Sequence, residues 1–222
     1  GDPASGTFNT STQQHPQHYY TTSGVYNVTL TVTDTYGCEH STVKPVHVTD
    51  PPQAGFTFSN NQCQGHDILF SDQSLSQGAT ITRWIWNFGD GQTDTIYSPQ
   101  SPDVTHSYIN PGAYPVSLQV TTTSGCYDMT THQLIIIAGP TADFTPTGGT
   151  CPNQSVQFQD QTTTNGGTSL STWSWNFDDP ASPQNTSTLQ HPTHLFTQAG
   201  SYAITEIVTN ASGCTDTIIK QI

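Results

Sequence analysis

The chain has 222 residues and a formal net charge of −13, with 3 Lys and Arg against 16 Asp and Glu. So few cations cannot neutralise a run of phosphates, which excludes nucleic acid as a partner and disfavours anionic membranes. Hydrophobic residues are only 32%, yet 4 Trp, 9 Tyr and 9 Phe suffice for a modest core, and no apolar run approaches the roughly 20 residues of a membrane-spanning helix.

The elements repeat. Cys38, Cys126 and Cys214 are spaced by 88, as are Tyr26, Tyr114 and Tyr202, and Cys63 and Cys151. A unit of this length is too long for a solenoid repeat and fits a tandem small domain. The first copy, residues 1–49, carries Gly24-Val25-Tyr26. That triplet opens a run in which Tyr26, Val28, Leu30 and Val32 alternate with polar residues. Period two marks a strand with one buried and one wet face. Gly1-Asp2-Pro3-Ala4-Ser5 matches Asp178-Asp179-Pro180-Ala181-Ser182. The first copy is therefore expected to lack its N-terminal part, and the chain to be a fragment of something longer.

Asp50-Pro51-Pro52 is a short linker that proline stiffens. In the second copy, residues 50–138, Trp84, Trp86 and Phe88 share one strand face. Gly89-Asp90-Gly91 is a turn, and Tyr114, Val116, Leu118 and Val120 alternate again. Gly139-Pro140 opens the third copy, residues 139–222, in which Trp173, Trp175 and Phe177 repeat the aromatic face. Helical stripes are absent, and the abundance of Thr suits exposed β-structure. Short strands with regular turns predict an antiparallel β-sandwich in each copy. Gly-x-Tyr before a strand predicts a tyrosine corner at the sandwich edge.

Trp86-Asn87-Phe88-Gly89-Asp90-Gly91 resembles the Trp-Asp-Phe-Gly-Asp-Gly signature of the polycystin-repeat (PKD) domain. His106-Ser107-Tyr108 and Gly112-Ala113-Tyr114-Pro115-Val116 match its later motifs. The third copy matches with Trp175-Asn176-Phe177-Asp178-Asp179, His194-Leu195-Phe196 and Gly200-Ser201-Tyr202, and the first from Pro16-Gln17-His18-Tyr19-Tyr20 onward. Two features depart from the family pattern. Asn87 and Asn176 stand for its first Asp, and Asp178-Asp179-Pro180 replaces the Gly-Asp-Gly turn. The resemblance implies tandem immunoglobulin-like sandwiches, beads on a string. It also implies extracellular work as a spacer, an adhesion module or a surface that contacts protein or glycan, and it does not imply catalysis.

Five cysteines in a polar, Lys-poor chain point to a secreted protein. Equal spacing makes Cys63–Cys126 and Cys151–Cys214 the first expectation, with the partner of Cys38 lying before Gly1. Topology objects, because in an immunoglobulin-like order these loops lie at opposite ends of strands spanning roughly 20 Å. The alternative is Cys63–Cys214, a staple from one copy to the next.

Candidate chemistry is sparse. His18, His106 and His194 recur at one repeat position, which favours loop bracing over catalysis, and neither a nucleophile elbow nor a zincin motif is present. No catalytic or metal residues and no cofactor are expected. Asp90 and Asp94 flank a Gly turn that is open to Ca²⁺, but read as a solvated turn. Asp94-Thr95-Ile96 and Asp216-Thr217-Ile218 fit a bacterial O-glycosylation pattern, which makes Thr95 and Thr217 glycan candidates. Asn-x-Ser/Thr sequons stand at Asn9, Asn27, Asn153, Asn185 and Asn210. Trp84 and Trp173 are expected to pack at the core or rim rather than stack on sugars. Glu206 occupies a position that holds Leu30 and Leu118 in the other copies. A lone buried carboxylate is costly, so a bulge that lets it reach solvent is expected, with Ile207 taking the core.

The function these readings give is a stalk segment of a secreted bacterial adhesin or filament. Its partners are the neighbouring repeats and surface glycans or proteins. The alternative is spacer or binding modules of a secreted hydrolase.

Overall fold

The computed structural model describes residues 2, 6, 9–149 and 151–222. Of the Gly1-Asp2-Pro3-Ala4-Ser5 match, all but Asp2 lies outside the described residues. The period-two runs are strands, sixteen in all among the described residues, with no α-helix. The chain packs into two compact units. One comprises Gly1–Thr57, Phe70–Val104 and Val116–His132, and the other Phe58–Leu69, Thr105–Pro115 and Gln133–Ile222.

The first copy contributes an antiparallel hairpin, β1 (Gly24–Thr33) with β2 (Glu39–Val48). The second builds a three-stranded sheet in the order β3 (Phe56–Phe58), β4 (Asp67–Asp72), β7 (Val104–Ser107). Its four-stranded sheet runs β6 (Thr93–Tyr97), β5 (Ile81–Asn87), β8 (Gly112–Thr122), β9 (Tyr127–Ile136). The third repeats the plan. Its sheets are β10 (Phe144–Gly148), β11 (Gln154–Asp160), β14 (Thr193–Phe196), and β13 (Thr186–Ser187), β12 (Leu170–Asn176), β15 (Ala203–Asn210), β16 (Thr215–Gln221). These are tandem immunoglobulin-like β-sandwiches.

Each core is aromatic because one strand face supplies Trp and Phe and the facing sheet supplies more Phe. Phe56 meets Trp86 edge-on at 5.2 Å between ring centroids, and Phe144 meets Trp175 at the same 5.2 Å. Phe88 and Phe177 extend the two clusters through Phe70 and Phe158. Both indole N–H groups are satisfied, Trp86 Nε1 by Pro102 O at 3.0 Å and Trp175 Nε1 by Leu189 O at 2.9 Å. The other two tryptophans also turn their N–H groups inward. Trp84 Nε1 donates to Asp72 Oδ2 and Trp173 Nε1 to Asp160 Oδ2, each at 2.9 Å.

The tyrosine corner is present three times. The hydroxyls of Tyr26, Tyr114 and Tyr202 donate to the carbonyls of Thr22, Asn110 and Gln198 at 2.9, 2.9 and 3.0 Å. Tyr202→Phe removes one neutral hydrogen bond and is expected to cost about 1 kcal/mol, read from urea unfolding midpoints at constant slope.

Glu206 corrects the sequence reading. The β12–β15 register runs unbroken through Trp175↔Glu206, and its irregularity falls at Leu170/Thr172 instead. With no bulge to turn it out, Glu206 keeps the inward parity of Ile204 and Val208. Its exposure is 0%, whereas Ile207 is 38% exposed. Among the described residues neither carboxylate oxygen meets a hydrogen-bond partner in good geometry. Burial, reinforced by the Asp160 carboxylate, pushes Glu206 up to about 8 against an opposing pull from Lys220. Burial by itself would also raise Asp160. The bonds from Thr162, Gln190 and Trp173 outweigh it and hold that carboxyl below its ordinary value.

Candidate functional site

The most elaborated place in the chain is the joint between the second and third copies, all of it within one compact unit. It is built from two turns and the linker between them. The first turn precedes β4. His66 N bonds Cys63 O at 3.2 Å, and Gly65, at φ +76, sends its N–H to Tyr108 O at 2.9 Å. The second turn joins β15 to β16. Gly213, at φ +86, lets the chain reverse so that Asn210 N reaches Cys214 O at 2.9 Å. Asn210 Oδ1 accepts from the N–H groups of Ser212 and Cys214, both at 3.0 Å. That cap fixes the direction in which Cys214 points.

Cys63 and Cys214 form a disulfide, with Cα atoms 5.5 Å apart and 151 residues between them. Both are buried. The linker is held alongside. Ile137 exchanges backbone bonds with Gln62 and Gln64, at 2.8 and 2.9 Å. Asn210 Nδ2 donates to Ala138 O at 3.2 Å, and Asn165 Nδ2 to Gly139 O at 3.0 Å. Asp216 Oδ2 accepts from Ala142 N at 2.8 Å. At the preceding linker Asp128 Oδ2 takes Ala54 N, also at 2.8 Å. Asp216→Ala is expected to cost about 1 kcal/mol and to speed amide exchange at Ala142 while leaving Ala54 unchanged.

The intradomain pairings Cys63–Cys126 and Cys151–Cys214 are not formed. Cys38, Cys126 and Cys151 are free thiols. The third copy shows why. Cys151 lines a cavity with Tyr202 and Ile222, beside the start of β15, whereas Cys214 follows its end. An eight-residue strand separates them, and that strand is roughly 25 Å long, far beyond disulfide reach.

A PKD-domain family model matches residues 1–50, 49–136 and 137–222. The chain belongs to the PKD-domain family. It is similar to a microbial collagenase of Vibrio alginolyticus, 36% identical over 88 residues, covering 39% of this chain and 10% of the relative. It is also 36% identical over 73 residues to the pre-pro-metalloprotease PrtV of Vibrio cholerae, covering 33% of this chain and 7% of that protein. The PKD1 domain of the same PrtV aligns with 28% identity and a TM-score of 0.34, covering 39% of this chain and 98% of that domain. The chain therefore spans a tenth or less of the curated relatives it matches.

The remaining candidates fall into place around the PKD cores. Thr95 and Thr217 are exposed, on β6 and β16. Asn210 is 2% exposed and engaged in the joint, which removes it as a glycan acceptor. Asp90 accepts from Gln92 N within its own turn, and Asp94 is exposed. Asn87 and Asn176, which replace the family Asp, each cap the PKD turn by accepting from Gly89 N and Asp178 N at 2.9 Å. The recurrent histidines brace loops. His18 Nε2 pairs with Asp2 at 3.3 Å, and His194 Nε2 with Asp179 at 3.0 Å. Sequence reasoning read Asn210 and Asp216 only as parts of glycosylation patterns and passed over Asp128, so it missed the hold all three have on the linkers. The two aspartates stand two residues after Cys126 and Cys214, and that shared offset was the available signal.

Proposed function

We propose that this PKD segment is a non-catalytic spacer in a large extracellular protein, holding neighbouring modules in a set relation. The Cys63–Cys214 joint carries the reading. A disulfide that spans two copies, flanked by hydrogen bonds to the linker, suits resistance to proteolysis and separation more than chemistry on a substrate. Net negative charge keeps such chains soluble and apart. The role needs no cofactor, and attached glycans at Thr95 and Thr217 would add protection.

The proteases whose PKD stretches resemble this one favour a secreted hydrolase as the parent. An adhesin or filament stalk is the second reading, favoured by the covalent joint and the short proline linkers. Peptide mapping of the unreduced natural protein, outward past Gly1 and Ile222, separates them. A catalytic domain within one or two copies gives the hydrolase, and further copies leading to an anchor or tip give the stalk. Saturable binding of an oligosaccharide or of collagen by the isolated chain would replace the spacer reading with a binding module.

A further inference from the structure

We infer that the Cys63–Cys214 staple is one rung of a ladder. Each copy's cysteine before its second strand bonds the Gly-Cys turn of the copy that follows, and Cys151 is an open half awaiting the turn of a further copy. Cys38 and Cys126 are open halves of the other kind, presented toward a preceding copy.

The geometry of the free turns carries this. Cys151 sits in a turn built like that of Cys63. Gln154 N bonds Cys151 O at 3.3 Å where His66 N bonds Cys63 O at 3.2 Å. Asn153 adopts φ +63 where Gly65 adopts φ +76, and its N–H reaches Phe196 O at 2.8 Å as Gly65 reaches Tyr108 O at 2.9 Å. A non-glycine residue at positive φ is strained, and it persists here because the surrounding turn holds it.

The Gly-Cys turns agree equally well. Gly37, Gly125 and Gly213 have φ +83, +83 and +86. Asp34 N, Thr122 N and Asn210 N reach the carbonyls of Cys38, Cys126 and Cys214 at 3.0, 2.9 and 2.9 Å. The side chain of the turn's first residue bonds the cysteine's backbone in each one: Asp34 Oδ1 accepts from Cys38 N as Asn210 Oδ1 accepts from Cys214 N, and Thr122 Oγ1 donates to Cys126 O at 3.2 Å. Five cysteines thus fall into two kinds of socket, and one socket of each kind is already joined to the other.

Beside Cys151 lies a cavity of about 390 Å³ lined by Pro146, Val156, Phe196, Tyr202 and Ile222. Its counterpart in the second copy is Cys63 with the incoming linker bonded alongside through Ile137. The occupant assigned to the cavity is therefore the linker and turn of another copy of this repeat. Pro152 stands where Gln64 stands, and it removes one N–H that would bond such a linker. The disulfide carries more of the joint there.

The bond forms by thiol–disulfide exchange. A Cys151 thiolate attacks glutathione disulfide and releases one glutathione thiolate. The incoming cysteine thiolate then attacks the mixed disulfide and releases the second. Two protein thiols are oxidised, one glutathione disulfide is reduced to two glutathione molecules, and the two protons pass from the cysteines to the leaving thiolates.

The test appends a second copy of residues 135–222 directly after Ile222, which keeps the 88-residue register, and refolds the chain in a glutathione redox buffer. The expected peptide map joins Cys151 to the appended Gly-Cys peptide and retains Cys63–Cys214. Three thiols stay reactive to alkylation, as in the original chain, instead of five. Cys151→Ser in the extended chain should free the thiol of the appended Gly-Cys turn and leave Cys63–Cys214 intact. An unpaired Cys151 beside an intact Cys63–Cys214 bond overturns the ladder and leaves the spacer reading standing. A map with neither bond overturns both the ladder and the staple on which it is patterned. Ligand binding by the isolated chain would remove the spacer reading and leave the ladder.

Discussion

Glu206→Leu will stabilise the third copy, and the gain will grow with pH between about 4.5 and 8. The folded-state value of Glu206 is raised from 4.5 to about 8, first by burial and then by Asp160. Below pH 4.5 the carboxyl is protonated in both folded and unfolded chains, and the fold bears no charge penalty. Above it the unfolded chain ionises while the folded one holds its proton. Stability then falls by about 1.4 kcal/mol for each pH unit, until the folded carboxyl itself ionises near 8. The total loss is roughly 3–5 kcal/mol, a large part of what a domain of this size possesses.

Leucine is what the second copy carries, fully buried, as Leu118. It removes the slope and also the two buried carboxylate oxygens. Glu206→Gln should remove the slope alone. Asp160 acts in a separate window. Its lowered value makes a contribution that is present above 3.8 and lost as pH falls below it. Thermal unfolding of the wild-type chain and both variants at pH 4, 6 and 8 is the measurement. An unchanged slope in Glu206→Leu would mean that the carboxylate reaches water in solution.

Breaking the joint is the other large effect. In the chain-entropy account, a cross-link closing 151 residues stabilises by about 5 kcal/mol. Cys63→Ser, Cys214→Ser and the double variant should all lose the same amount, because a single bond is removed in each case and the effects do not add. Cys126→Ser and Cys151→Ser alter free thiols and should change stability by less than about 0.5 kcal/mol. Urea unfolding of the unreduced proteins measures all five. A loss in Cys126→Ser as large as that in Cys63→Ser would show that the second copy is closed by its own cysteines.

The regular parts of this molecule were legible because their causes are local. Alternation at Tyr114, Val116, Leu118 and Val120 needs only the pleat of a strand. The Gly-x-Tyr corner needs only a hydroxyl that reaches back four residues, as Tyr202 does to Gln198. The repeat also marked His18 and His194 as residues that brace loops, though the strand position of His194 on β14 and the partners Asp2 and Asp179 emerged from the fold.

Glu206 was misjudged for a physical reason. The cost of burying a carboxylate argued for a bulge, but strand parity and the pairing of β15 with β12 on one side and β16 on the other overrode that local preference. A single unfavourable residue cannot shift a register that several buried neighbours hold.

The sequence by itself determined the copy number, the strand pattern, the aromatic cores and the tyrosine corners, since each follows from periodicity within a few residues. It also narrowed the cysteines to two pairings. Tertiary structure alone decided between them. Disulfide choice depends on which turns share an end of a sandwich, and that is set by the lengths of β15 and its neighbours and by a linker that Asn210 and Asp216 hold in place. Spacing along the chain favoured partners within a copy, whereas distance in space joined Cys63 to the copy that follows.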